Sequence, residues 1–131
     1  MRDVMGFWIF MICVILMIPF MMIFFGYIFK NNPPKDINSI YGYRTSMSMK
    51  NMDSWKFAHH YFGKLWFVIG IIILPVSIIP MFFFIKQSTD VVGTAGSIIE
   101  IIQIIVLLIP IYSTEKALKK TFDENGNRRI S

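Results

Sequence analysis

Residues 6–29 read GFWIFMICVILMIPFMMIFFGYIF, 24 residues without a charge. As an α-helix at 1.5 Å per residue this run covers roughly 36 Å, more than the hydrocarbon core of a bilayer at about 30 Å. It is longer than the apolar region of a secretory signal, and no small-x-small cleavage site precedes Lys30. The stretch therefore reads as a retained transmembrane helix, and lipid becomes the solvent in which the rest of the chain is read.

Composition agrees. Of 131 residues, 55% are hydrophobic and 16% charged, whereas soluble domains average about 45–50% and about 25%. Residues 65–85, LWFVIGIIILPVSIIPMFFFI, form a second span of 21 residues. Its Pro75 and Pro80 would break a soluble helix. Within a membrane, neighbouring helices and small hydroxyls such as Ser77 satisfy the freed carbonyls, at the cost of a kink. The third span needs the small-residue stretch VVGTAGS: residues 91–112 give 22 residues and bury Glu100 and Gln103. The lone Cys13 sits inside the first span, so no internal disulfide is possible.

Charge placement sets an orientation. Arg2 precedes span one, and Lys86 lies between spans two and three. Lys30, Lys35, Arg44, Lys50, Lys56 and Lys64 occupy the first connector, and Lys116, Lys119, Lys120, Arg128 and Arg129 the tail. Three spans put connector and tail on one side, eleven basic residues against two. The positive-inside rule then expects the amino terminus outside and the carboxy terminus in the cytoplasm. The net charge of +5 is thereby accounted for by anionic lipid, with no nucleic-acid partner.

The expected layout is one all-α integral membrane domain: spans at 6–29, 65–85 and 91–112, a connector at 30–64 and a tail at 113–131. In the connector, Asn31-Asn32-Pro33-Pro34 stops the first helix. Ser48 or Asn51 can cap a new one, and Met52, Trp55, His59 and Phe62 share its face. An amphipathic helix over about 51–63 is expected in the interface or leading into span two, with Trp55 at headgroup depth. Arg44, after Gly42 and before Thr45, Ser46 and Ser48, is expected to tie the connector through carbonyls and a carboxylate such as Asp53, or to bind lipid phosphate. The tail end, DENGNRRIS, has an Asn125-Gly126 turn signal and reads as frayed.

The set Gly42-x-Arg44-Thr45, then Asn51, Trp55, His59 and Gly63 followed by Lys64-Leu65-Trp66, resembles the signature of the SdpI family. These are bacterial inner-membrane proteins named for an immunity protein against a sporulation-associated killing peptide. The similarity runs over about residues 40–75. It implies a peptide-immunity or signalling module whose motif positions are those seven residues. It also implies a short member, without the additional membrane helices that precede this module in longer members.

In span three, Thr94, Ser97, Glu100 and Gln103 step by three and make a slowly turning polar stripe. A charged carboxylate in a span costs about 2.5–3.5 kcal/mol on insertion scales, so Glu100 should face protein or water, or hold a proton. A three-helix chain shields little, which favours a homo-oligomer. Three functions remain open: immunity or signalling by binding an antimicrobial peptide at the bilayer, an oligomeric transporter or channel subunit using the stripe, and a scaffold recruiting a cytoplasmic regulator. No catalytic constellation, cofactor motif or metal-ligand spacing is present; His59-His60 point about 100° apart and have no second pair. Neither an enzyme nor a cofactor is expected.

Overall fold

A computed structural model describes residues 2–130, with side chains from residue 4 onward. The Arg2 side chain, which entered the charge count, lies outside the described residues. The chain forms three helices: α1 (Arg2–Asn31), α2 (Met52–Phe82) and α3 (Thr89–Thr121). No strand is present among the described residues, only an isolated bridge between Phe122 and Arg128. All three helices are long and apolar enough to cross a membrane. At 1.5 Å per residue each spans roughly 45 Å or more, so their ends extend beyond a hydrocarbon core of about 30 Å.

Local chemistry sets the boundaries. Pro33 and Pro34 follow the end of α1. Asn51 caps α2 in a capping box: its side chain accepts from the Ser54 amide, and the Ser54 hydroxyl accepts from the Asn51 amide. Ser88 caps α3, accepting from the Val91 amide. The segment expected as an interfacial helix is not a separate element. Residues 52–63 are the opening turns of α2, which runs unbroken into the second span.

The closest pairing is α1 against α2, and it rests on glycine. A Cβ on Gly63 would lie 2.5 Å from the Lys30 amide nitrogen and 2.8 Å from the Gly26 carbonyl oxygen; one on Gly26 would lie 2.5 Å from the Phe67 nitrogen. These are backbone atoms that cannot move aside, so the two helices touch only because both positions lack side chains. At the opposite end, Trp8, Met11, Ile15, Met81 and Val92 form the core, and the Trp8 indole donates to the Met81 carbonyl at the end of α2 (2.7 Å).

Four of the six prolines lie inside helices, at 19, 75, 80 and 110. Pro19 has no N–H, so the Ile15 carbonyl loses its partner within α1. Gln103 of α3 supplies the missing donor, its Nε2 lying 3.1 Å from Ile15 O. The same nitrogen donates to Ser77 Oγ of α2 (2.8 Å). A single carboxamide thus joins all three helices.

Candidate functional site

The connector between α1 and α2 is folded back onto the helix ends, and the residues that hold it are largely those of the motif. Gly42 adopts φ +118°, open to glycine at little cost. A Cβ there would also come within 2.6 Å of His59 Nε2. This turn aims the Tyr43 amide at the His59 ring, which accepts at Nε2 (2.8 Å). His59 Nδ1 lies 2.8 Å from the Trp55 carbonyl. An amide only donates and a carbonyl only accepts, so the partners fix a neutral imidazole with its proton on Nδ1.

Trp55 corrects the sequence reading. It is fully buried within the protein and so not itself in contact with headgroups, and its indole donates to the Pro34 carbonyl (2.9 Å), pinning the start of the connector. The face shared by Trp55, His59 and Phe62 is thus the core of a polar cap, not a lipid-facing stripe. His60, on the exposed side, places Nδ1 3.2 Å from the Lys30 carbonyl at the end of α1.

The other half of the cap comes from α3. The Glu115 carboxylate accepts from the Tyr43 hydroxyl (2.6 Å) and from Thr45 Oγ1 (2.8 Å). Burial, with the Glu115 carboxylate at its hydroxyl, holds the Tyr43 phenol above its usual range. Ser48 closes the turn: its hydroxyl accepts from the Thr45 amide and donates to the Tyr43 carbonyl. Tyr43 and Glu115 were not singled out from sequence, and Ser48, a candidate cap for α2, closes this turn instead while Asn51 is the cap. A readable signal did exist for Glu115, an acid beside Lys116, Lys119 and Lys120 in the last turns of a helix, where the dipole disfavours negative charge.

The tail is docked rather than frayed. Beyond α3, the Asp123 amide donates to the Asn127 carbonyl and the Arg129 amide to the Thr121 carbonyl. Asn51 Nδ2 donates to the Gly126 carbonyl (2.6 Å). Arg128 makes a two-pronged pair with Asp53 at 2.7 and 2.8 Å. The expected tie from Arg44 to Asp53 is therefore not made, because Arg128 occupies that carboxylate.

Arg44 stands apart from its neighbours. Gly42, Thr45, Asn51, Trp55, His59 and Gly63 each have a structural task in this cap. Arg44 is exposed and has no hydrogen bond or ion pair among the described residues. It stands at an open cleft of about 440 Å³ lined mostly by apolar groups, including Phe25, Phe29, Tyr41, Trp66 and Ile111. Beside it, Ile40 is 87% exposed.

A profile of the SdpI/YfhL protein family matches residues 35–114. That range takes in every motif residue, Glu100 and Gln103. The chain belongs to the SdpI/YfhL family. One SdpI/YfhL relative, "Uncharacterized protein YfhL" of Bacillus subtilis (strain 168), is 34% identical over 113 residues, covering 82% of this chain and 89% of the relative. No solved structure matches. Together with three span-length apolar helices, family membership makes this a multi-pass membrane protein.

The polar stripe of span three is divided in the structure. Gln103 is buried among the three helices, while Thr94 and Ser97 lie on the exposed face of α3. Glu100 falls between, half-buried, with Oε1 shielded and without a partner. Among the described residues, no group of three or more His, Cys, Asp or Glu is placed to hold a metal ion.

Proposed function

We propose that this protein confers immunity to, or signals the presence of, an antimicrobial peptide, which it binds at the edge of the bacterial cell membrane. The observation that carries the reading is the cleft beside Arg44. It joins an open apolar wall to a guanidinium with no partner among the described residues, on a connector fixed by His59, Trp55 and Glu115. An apolar peptide segment would fill the wall, and an acidic side chain or terminal carboxylate would meet Arg44 through paired N–H donors. A fixed connector lowers the ordering cost of binding. The positive-inside rule supports a cytoplasmic location for connector and tail. The test is expression in a peptide-sensitive bacterium: tolerance should rise, and Arg44→Ala or Tyr41→Ala should remove it while the protein still inserts. Protection that survives both substitutions would contradict the reading.

The transporter reading draws less support. Both protons of the Gln103 amide are spent on Ile15 and Ser77, so a polar path between copies would run past Thr94 and Ser97 on the outer face. That face is also where a homo-oligomer would form. Recruitment of a cytoplasmic regulator would use the basic surface of connector and tail, and deletion of the tail tests it.

A further inference from the structure

The centre of the bundle holds a second polar group that the cleft does not use. Gln103 Nε2 faces the Ile15 carbonyl, which can only accept, so the carboxamide is fixed with nitrogen towards α1 and oxygen away from it. Its two protons go to Ile15 O and Ser77 Oγ. Gln103 Oε1 is then a buried acceptor with no donor, and so is Glu100 Oε1. The two residues are three apart on α3, which places their side chains as neighbours on one face. Two acceptors cannot satisfy one another, and leaving both bare in a low-dielectric interior is costly.

Candidate donors can be taken element by element. α1 brings no charge between residues 6 and 29, and its Cys13 is exposed. α2 brings no charge between residues 65 and 85, and its Ser77 hydroxyl stands at the nitrogen end of the Gln103 carboxamide, not at its oxygen. On α3 the nearest charged groups in sequence are Asp90 and Glu115, both acids. The first lysine, Lys116, is about 24 Å along the helix at 1.5 Å per residue. Among these groups, no cation is placed to balance a carboxylate.

We infer that Glu100 forms an intramembrane proton-binding site, carrying its proton as a carboxylic acid that donates to Gln103 Oε1. One proton then satisfies both bare oxygens. It also completes a chain from Glu100 through the Gln103 carboxamide to Ser77 and to the carbonyl opened by Pro19. The ligand is a proton, and the inference does not depend on the peptide reading.

Infrared spectroscopy of the protein in lipid bilayers at neutral pH tests this. The C=O stretch of a protonated carboxyl group is separate from the carboxylate bands. The wild type should show one such band, which Glu100→Gln removes and Gln103→Leu shifts towards a free carboxyl. If Gln103→Leu does not fold, the wild type and Glu100→Gln still decide. A wild-type spectrum without the band, or a band unchanged in Glu100→Gln, overturns the inference; either result would mean that Glu100 is ionised beside a trapped water or solvent.

Discussion

The connector end of the molecule and the middle of its bundle are held by different means. At the connector end, side chains bond to backbone and to each other in a dense set: Trp55 to Pro34, His59 to Tyr43, Glu115 to Tyr43 and Thr45, Asn51 to Gly126. In the middle, surrounded by lipid, polar bonds are few, and a single glutamine repairs the one carbonyl that Pro19 opens. The connector has no helical ladder to hold its backbone, and the spans have one. An irregular connector must therefore be pinned bond by bond, while the spans need only close packing and no orphaned carbonyl. The two meet at Gly26 and Gly63, where α1 and α2 approach most closely.

Substitution at that meeting point should have the largest effect. Gly63→Val forces two backbones apart, and a loss at or above the top of the ~1–3 kcal/mol overpacking range is expected. Gly6→Val, with no atom within 4 Å of its Cβ position, should leave stability unchanged. Unfolding in mixed detergent micelles reads both, and equal losses would break the distinction. Next comes Glu115→Ala, which takes a charged acceptor from two hydroxyls and should cost about 1.5–3 kcal/mol. Stability unchanged by it would show that the cap does not need α3.

The middle of the bundle should respond less. Gln103→Leu is expected to cost about 1–2 kcal/mol, as interhelical hydrogen bonds in membranes do. In a Pro19→Ala background the loss should shrink, because the alanine restores an N–H for the Ile15 carbonyl. Simple additivity of the two changes would remove the proline repair from the account. The smallest effect belongs to Arg128→Ala, which breaks an exposed pair. Global stability should hold while the tail amides of Gly126 and Arg129 exchange faster; a clear drop in global stability would make the tail part of the core.

The same contrast explains what could be read from sequence. The spans were legible because burial in lipid demands long charge-free runs, and residues 6–29 and 65–85 show them directly. The cap was not, since bonds such as His59 to Tyr43 follow no period. Trp55 misled because an indole next to a span has the same local sequence whether it faces headgroups or a connector carbonyl. Of the two roles open to Arg44, the tie to Asp53 is not made because Arg128, 75 residues beyond that aspartate, holds it. Gln103 was placed on a polar stripe because its true partner, the carbonyl opened by Pro19, lies on another helix. Six of the seven signature residues build the platform, and among the described residues Arg44 is the one of the seven left without a bond on it.

The most direct test of that platform is residue-resolved amide hydrogen exchange in lipid bilayers. The Tyr43, Thr45 and Ser48 amides, bonded to His59 Nε2, Ser48 Oγ and Thr45 Oγ1, should exchange nearly as slowly as the first turns of α2. His59→Ala should release the Tyr43 amide. Exchange of all three at the rate of an unstructured loop in the wild type would contradict a fixed connector, and with it the proposed binding cleft beside Arg44.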